Sequence, residues 1–231
     1  MIAITFALAT ESCDLVGQLT EKHVRDGSEL VFGKIDKQPV AIFHTGVGRK
    51  SCESKINGFL RSEQPDFLIS SGFAGGVRED LHAGDLFLAE NFSERQLLDR
   101  ARQTLIDRNP KIGRLFTSTA IIDSIAERHE TARTNGAAAV DMETEFVATA
   151  CEARGIPMLS LRVISDSTSE PLPAPPGVLF DIERQRTDFK KLIAHSIGHP
   201  AAAWRLIVFA RQIRNARARL TDALAALLHP L

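Results

Sequence analysis

The sequence predicts an α/β protein whose sheet is covered by helices on both faces. Apolar segments typical of strands alternate with amphipathic segments typical of helices over most of the 231 residues. Several strand segments, such as 2–8 and 158–164, are almost wholly apolar, as expected for strands buried on both faces. No internal repeat, long linker or change in composition divides the chain. We therefore expect a single domain over residues 1–231.

The first half of the chain contains four predicted strands and two predicted helices. The strands are the apolar runs at 2–8, 40–45, 67–70 and 85–90. A helical pattern over 13–24 follows the first strand. The second helix, at 50–62, is amphipathic because its apolar residues share one face.

The second half continues the alternation and ends in helices. The polar segment 94–112 is expected to be partly helical. A short strand at 137–140 precedes a helix at 143–154, which Gly155 and Pro157 bring to an end. The strand at 158–164 follows. Beyond a proline-rich stretch, the pattern predicts helices at 185–197 and 200–228.

The composition excludes several classes of protein. Lysine and arginine number 28 and aspartate and glutamate 29, so the net charge of −1 argues against a globally basic nucleic-acid-binding protein. The three cysteines form no CxxC pair and no zinc-ligand spacing, which predicts reduced thiols. No signal peptide and no apolar run of the ~20 residues of a membrane span is visible. We expect a cytoplasmic protein without a metal or cofactor.

Acidic residues lie where predicted strands end. Glu11 follows the first strand, Asp166 follows the strand at 158–164, and Glu143 lies where a short strand becomes a helix. Because ligands of such sheets bind at the carboxyl ends of strands, the three carboxylates are expected to share one rim. Crowding and burial separate the pKa values of neighbouring carboxylates, which suits general acid–base catalysis. The alternative is that each one caps a helix or satisfies a turn.

Two glycine clusters, at 46–48 and 72–76, follow predicted strands. Neither fits a dinucleotide-binding fingerprint or a P-loop. They predict either tight turns with positive φ or a close approach of the backbone to a ligand.

Five segments carry distinctive residues in a fixed order. They are FALATES at 6–12, HTGVGRKS at 44–51, SSGFAGGVREDLHAGDLFLAE at 70–90, AVDMETEFVATAC at 139–151 and LRVISDSTSE at 161–170. Together they resemble the purine nucleoside phosphorylase and nucleosidase superfamily, in particular its methylthioadenosine/S-adenosylhomocysteine nucleosidase branch. The resemblance implies a three-layer α/β/α fold with a central mixed sheet, formed by one domain.

The resemblance also implies roles for individual residues. Asp166 matches the acid that protonates or hydrogen-bonds N7 of the departing purine, and Glu11 matches the carboxylate that activates water. Glu143 matches the residue that holds the ribose hydroxyls, and Met142 matches the side chain beneath the sugar. No metal or cofactor is implied. Further substrate-binding positions implied by the matching motifs are Phe73, Gly75, Asp141 and Ser165, and the resemblance places base contacts near Ile121, outside those motifs.

Water is the expected nucleophile. Phosphorylases of the superfamily carry an arginine just before the glycine segment, where this chain has Ser70. A dianionic phosphate is hard to bind without arginine or lysine, and Glu11 would repel it. A phosphorylase that uses inorganic phosphate is the alternative.

The group at the 5′ position of the substrate is expected to be apolar. Phe73 stands where the methylthioadenosine branch tends to have a small polar residue; it either lines the pocket or turns into the core. The segments at 161–173 and 199–220 resemble hopanoid-associated phosphorylase-like proteins, which are linked to adenine release from adenosylhopane. Adenosylhopane is therefore the expected substrate on this resemblance.

The C-terminal helix at about 200–228 is basic and amphipathic. Apolar residues recur at three- and four-residue spacing, and residues 189–231 contain seven lysines and arginines and one aspartate. One interpretation is peripheral contact with an anionic membrane. The other is packing on the body or on a second subunit, and the resemblance implies a homo-oligomer, in particular a dimer. A nucleoside- or lipid-surface-binding protein without catalysis is the non-enzymatic alternative.

Overall fold

A single mixed sheet of ten strands organises the computed structural model, which describes residues 1–25, 30–175 and 200–229. This confirms the predicted α/β class. The strands are β1 (Ile2–Phe6), β2 (Thr20–Val24), β3 (Val31–Ile35), β4 (Gln38–His44), β5 (Phe67–Gly76), β6 (Leu86–Ala89), β7 (Lys111–Gly113), β8 (Leu115–Thr117), β9 (Ala139–Asp141) and β10 (Met158–Asp166).

The centre of the sheet is parallel and its margins are antiparallel or mixed. The strand order is β2-β3-β4-β1-β5-β10-β6-β7, and β9 joins β5 to β8. β4, β1, β5 and β10 are parallel, so their carboxyl ends meet at one edge. β6 runs antiparallel to β10, and the β2–β3–β4 ribbon is antiparallel. Residues at this shared edge are therefore brought together from distant parts of the chain.

Helices cover both faces of the sheet. Within the described residues they are α1 (Ala9–Gly17), α2 (Arg49–Ser62), α3 (Arg95–Thr104), α4 (Ile125–Asn135), α5 (Thr144–Glu152) and α6 (Pro200–Leu228). Alternate residues of β1 point to opposite layers: Ile4 packs with α1, α3 and α6, and Ala3 packs with α2 and α5. The predicted three-layer arrangement follows from this alternation. None of the described helices, α6 included, combines the length and hydropathy needed to cross a bilayer.

The helix predicted over 13–24 is wrong in both bounds. α1 begins at Ala9 and ends at Gly17, and residues 20–24 form β2 instead. All five β2 residues are exposed, so the strand has no buried face to give it an apolar alternation. The pattern also missed β3, β7, β8 and α4, which are short or largely polar. The predicted helix at 185–197 lies outside the described residues.

The strand predicted at 67–70 continues through the glycine cluster as β5, up to Gly76. Turns do not interrupt it: among residues 72–76 only Gly72 has a positive φ, of 137°. The glycines instead allow side chains to approach the backbone. A Cβ atom on Gly72 would lie 2.9 Å from Nη1 of Arg162 and 3.0 Å from Oε1 of Glu11. The predicted turn is therefore wrong for this cluster, and the close approach that the structure shows is to protein side chains; an approach to a ligand stays a prediction.

Candidate active site

A cavity of about 350 Å³ opens at the carboxyl ends of the parallel strands. Its walls come from the ends of β1, β5, β9 and β10, the loop before α4, and one face of α6. The nine residues predicted to form the site all line it. They are Glu11, Phe73, Gly75, Ile121, Asp141, Met142, Glu143, Ser165 and Asp166.

Glu11 is held by the backbone on two sides. It lies in the first turn of α1, where its Oε2 accepts a hydrogen bond from the Leu8 N–H at 2.9 Å. Its Oε1 accepts one from the Phe73 N–H at 3.1 Å. Burial raises the pKa of Glu11 above its usual range, although these hydrogen bonds and the charge of Arg162 oppose the shift. A fixed carboxylate with a raised pKa is suited to take a proton from water near neutral pH.

Glu143 lies across the cavity at the start of α5. Its Oε1 accepts a hydrogen bond from the Gly48 N–H at 2.8 Å, where Gly48 precedes α2 with a φ of 83°. Burial, reinforced by the negative charge of Asp141, raises the pKa of Glu143 to about 8. At neutral pH the side chain therefore exchanges between a carboxyl donor and a carboxylate acceptor, both of which can bind a hydroxyl group.

Asp166 ends β10 with both oxygens engaged. Its Oδ2 accepts a hydrogen bond from Nη2 of Arg128 in a close ion pair. Its Oδ1 accepts a hydrogen bond from the hydroxyl of Ser165. Arg128 lies in α4, has no exposed surface, and also donates to the Gly76 carbonyl at 2.9 Å. The acid candidate is therefore paired with a buried cation that lies behind the cavity wall.

Sequence reasoning missed Arg128 because α4 is polar and has no clear apolar period. One signal was present: Ser124 and Glu127 form a capping box, S-x-x-E, which marks the start of a helix. That signal would have located α4. It would not have paired Arg128 with Asp166, which lies 38 residues away.

Asp141 is also at the cavity wall, but protein donors occupy its oxygens. Oδ1 accepts from the Thr117 hydroxyl at 2.8 Å, and Oδ2 lies 2.9 Å from Nη2 of Arg162. Thr144 donates to the same carboxylate through its N–H and its hydroxyl. The expected substrate contact by Asp141 therefore does not match this geometry, which gives it a positioning role at the start of α5.

Arg162 is the second buried cation that sequence reasoning missed. Besides Asp141 it donates to the Ser71 carbonyl at 2.7 Å and to the Ser70 hydroxyl at 2.9 Å. A single arginine inside an apolar strand was the available signal, because such a charge needs a buried partner. It does not line the cavity.

The two ends of the cavity are separated along β5. Gly72 lies against Glu11, and Gly75 lies against Asp166, whose Oδ2 would be 3.3 Å from a Cβ atom on Gly75. Three residues of strand span roughly 10 Å. This leaves room for a sugar ring and the five-membered ring of a purine between the two carboxylates.

The remaining wall is apolar and includes α6. Phe73 lines the cavity and also packs against the core, so the two expected positions of its side chain do not exclude each other. Phe209 and Ile213 of α6 face the cavity, and Gln212 fixes that helix by donating to the Ser165 carbonyl at 3.0 Å. Among the described residues that line the cavity there is no lysine or arginine. No group of three or more metal-ligating side chains was found in the described ranges.

Comparison with known proteins identifies a family for the chain. The sequence matches the phosphorylase superfamily over residues 2–95 and 90–198. A 5′-methylthioadenosine/S-adenosylhomocysteine nucleosidase of Actinobacillus succinogenes is 26% identical over 196 residues, which cover 72% of this chain and 85% of the relative.

Solved structures share the fold at lower identity. The MTA/SAH nucleosidase of Streptococcus pneumoniae in complex with 8-aminoadenine superimposes with a TM-score of 0.75 at 20% identity, over 100% of this chain and 99% of the other. A futalosine hydrolase mutant of Helicobacter pylori gives a TM-score of 0.63 at 18% identity, over 71% and 87% of the chains.

Proposed function

The chain belongs to the phosphorylase superfamily, and from this premise we propose that it is a purine nucleosidase. It hydrolyses the N-glycosidic bond of a 5′-substituted adenosine and releases adenine. The observation that carries the proposal is one cavity whose wall includes Glu11, Glu143 and Asp166 beside the internally bonded Asp141, with no cation on its described lining.

The reaction divides between the two ends of the cavity. Asp166 gives a proton to N7 of the purine while the C1′–N9 bond breaks, and the bonding electron pair leaves with the base. Water adds to C1′, and Glu11 takes the proton that this water loses. Glu143 holds the ribose hydroxyls, and nearby carboxylates stabilise the positive charge that develops on the sugar. The products are adenine and the 5′-substituted ribose.

Hydrolysis is favoured over phosphorolysis by the charge of the cavity. An incoming phosphate dianion would meet the acidic side chains of Glu11 and Glu143, neither of which supplies a positive charge. The Nη atoms of the buried Arg162 bond to Asp141, Ser70 and Ser71, and Arg162 does not line the cavity. Without a free cationic partner, a phosphate would remain poorly bound. Water carries no such penalty.

The substrate's 5′ group is apolar in this proposal, with adenosylhopane as the specific candidate. Phe73, Leu172, Phe209 and Ile213 give the cavity an apolar wall that continues onto α6. A hydrocarbon substituent would lose its contact with water there, at about 25 cal/mol for each Å² buried. Methylthioadenosine, with its small thioether, would use less of this wall.

We further propose that α6 brings the enzyme to an anionic membrane surface. Its second half is buried against the body through Ala216, Leu220 and Leu224. Its first half exposes Trp204, Ile207 and Val208 by 63%, 49% and 43%. The exposed Arg205, Arg211 and Arg214 carry positive charge along the same half. Exposed apolar side chains interspersed with arginines fit insertion to about 5–10 Å with the charges at the phosphate groups.

The only tryptophan of the chain, Trp204, reports on this contact directly. Adding vesicles of anionic phosphatidylglycerol should shift its emission to shorter wavelength and cosediment the protein, and W204A should weaken binding. Neutral phosphatidylcholine vesicles are the control. No shift of the Trp204 emission with anionic vesicles would contradict the proposal. A shift that needs no vesicles and grows with protein concentration would instead indicate that the first half of α6 contacts a second copy of the chain.

A homodimer in the cytoplasm completes the proposal. The resemblance to the nucleosidases supports both points. Light scattering coupled to size exclusion should give twice the chain mass of 25.3 kDa. A mass of one chain at micromolar concentration would contradict the dimer.

The activity itself is tested by adenine release from a panel of adenosines. The panel contains methylthioadenosine, S-adenosylhomocysteine and a 5′-alkyl adenosine, each with and without phosphate. Release without phosphate, fastest for the alkyl compound, is expected. Release only with phosphate would identify a phosphorylase, and binding without release would identify a non-catalytic binding protein.

A further inference from the structure

We infer that Arg128 is a positioning residue for leaving-group protonation: its guanidinium stabilises the carboxylate that Asp166 becomes when it gives its proton to the purine. This inference rests on the proposed nucleosidase function. It explains why a helix outside the cavity places a charged side chain behind the cavity wall.

The guanidinium is anchored at three points. Nη2 forms the ion pair with Asp166 Oδ2, Nη1 donates to the Gly76 carbonyl at 2.9 Å, and Nε reaches the Asp123 carbonyl at 3.4 Å. Arg128 has no exposed surface, and the Asp166 side chain is almost fully buried. The planar fork of arginine holds two acceptors in one fixed geometry, whereas the ammonium of lysine is a compact charge with freely rotating donors.

A buried ion pair of this kind contributes little net stability to the fold. Removing two charges from water is costly, and a well-packed apolar pair of similar size is often at least as stable. The charge of Arg128 is instead directed at one atom of the proposed acid. Gly75 makes room for this contact, since a Cβ atom there would lie 3.4 Å from Arg128 Nη1 and 3.3 Å from Asp166 Oδ2.

The paired state corresponds to the moment after proton transfer. Before it, Asp166 carries a proton; the proton then passes to N7, the C1′–N9 bond breaks, and a negative charge appears on the buried carboxylate. Arg128 is already in place to receive that charge, so no rearrangement is needed as the bond breaks. The Ser165 hydroxyl, which donates to Oδ1, acts in the same direction.

The inference predicts that the effect of Arg128 depends on the leaving group. A 4-nitrophenyl riboside releases a phenolate that needs no proton, so its hydrolysis bypasses Asp166. Arg128→Gln should therefore lower kcat for the best adenosine substrate by about 10- to 100-fold, a part of what a general acid contributes. Its kcat for the nitrophenyl riboside should stay within about threefold of wild type. KM should change little, because Arg128 does not line the cavity.

Matched variants keep the test independent of folding. Arg133→Gln removes an exposed arginine of the same helix that pairs with Glu130, and it should leave both activities unchanged. Arg128→Lys retains the charge without the fork and should recover part of the lost kcat. Asp166→Asn should show the same leaving-group dependence as Arg128→Gln, and the double variant should be no worse than Asp166→Asn alone.

Two results would overturn the inference. One is an equal loss of both activities in Arg128→Gln, which would make the arginine a structural support only. The other is full adenine release by Arg128→Gln. If wild type itself hydrolyses neither substrate, the proposed function fails instead, and the two failures are thereby distinguished. If Arg128→Gln does not fold, adenine release and nitrophenol release are compared in Arg128→Lys instead. An equal loss of kcat for both substrates would again count against the inference.

Discussion

Replacing Glu143 by glutamine should flatten the pH dependence of stability. In the folded protein, burial and the charge of Asp141 raise the pKa of Glu143 to about 8, above its ordinary 4.5. Between these values the folded state holds a proton that the unfolded chain has lost. The stabilising contribution is complete below about pH 4.5 and is lost as the pH rises through about 8. Glutamine resembles the protonated side chain and cannot titrate.

The expected size follows from this shift. Within the window, one proton changes the free energy of unfolding by up to about 1.4 kcal/mol for each pH unit. From pH 5.5 to 7.5, wild type should therefore lose up to about 3 kcal/mol relative to Glu143→Gln. At pH 7.5 the variant should be the more stable protein and a poor enzyme, because it keeps the shape of the site and loses the carboxylate that binds ribose hydroxyls.

Urea unfolding at the two pH values measures this difference. Glu145→Gln is the matched control, since Glu145 lies exposed on the same helix. The control should keep the wild-type pH dependence. Equal free-energy differences between wild type and Glu143→Gln at both pH values would refute the reasoning, because Glu143 would then titrate alike in the folded and unfolded chains.

Three further changes have expected outcomes. Arg162→Met leaves the buried carboxylate of Asp141 without its partner and should cost about 3–5 kcal/mol in urea unfolding; a loss under 1 kcal/mol would mean that the pair contributes little. Gly72→Ala puts a Cβ atom 3.0 Å from Glu11 at a φ of 137°, and should reduce kcat at least tenfold; wild-type turnover would show that the carboxylate position is not critical. Phe209→Ala should raise KM for a 5′-alkyl adenosine by about tenfold, close to the ~1.4 kcal/mol of a partly buried apolar side chain, and leave that for adenosine unchanged. An unchanged KM for the alkyl compound, or the same rise in KM for both substrates, would show that α6 does not contact the 5′ group.

The parts of the fold that the sequence predicted are those with a strong local pattern. The strand segments at 2–8 and 158–164 are apolar because both faces of β1 and β10 are buried. Glu11 and Asp166 were predicted as site residues because they follow the ends of these strands. Because the two strands belong to a parallel sheet, both residues were expected at one edge. Glu143 follows β9 by two residues, but β9 runs antiparallel to the end of β5, so the parallel-strand argument does not account for its place in the site.

The parts that it did not predict depend on contacts between distant residues. β2 is exposed on both faces and is held only by pairing with β3. In the sequence, Arg128 looks like an ordinary surface charge, and Arg162 stands out only as a charge inside an apolar strand, with nothing to identify its partner. Only the folded chain places them against Asp166 and Asp141. The glycines at 72, 75 and 76 resemble turn residues, but in β5 they let side chains lie close to the backbone.

The central claim is the division of work between Glu11 and Asp166. Comparing kcat/KM of wild type, Glu11→Gln and Asp166→Asn on the best adenosine substrate and on 4-nitrophenyl riboside tests it most directly. Asp166→Asn should lose adenine release by about 10²- to 10⁴-fold and keep nitrophenol release, and Glu11→Gln should lose both. Near-normal adenine release by Asp166→Asn, or full nitrophenol release by Glu11→Gln, would contradict the assignment.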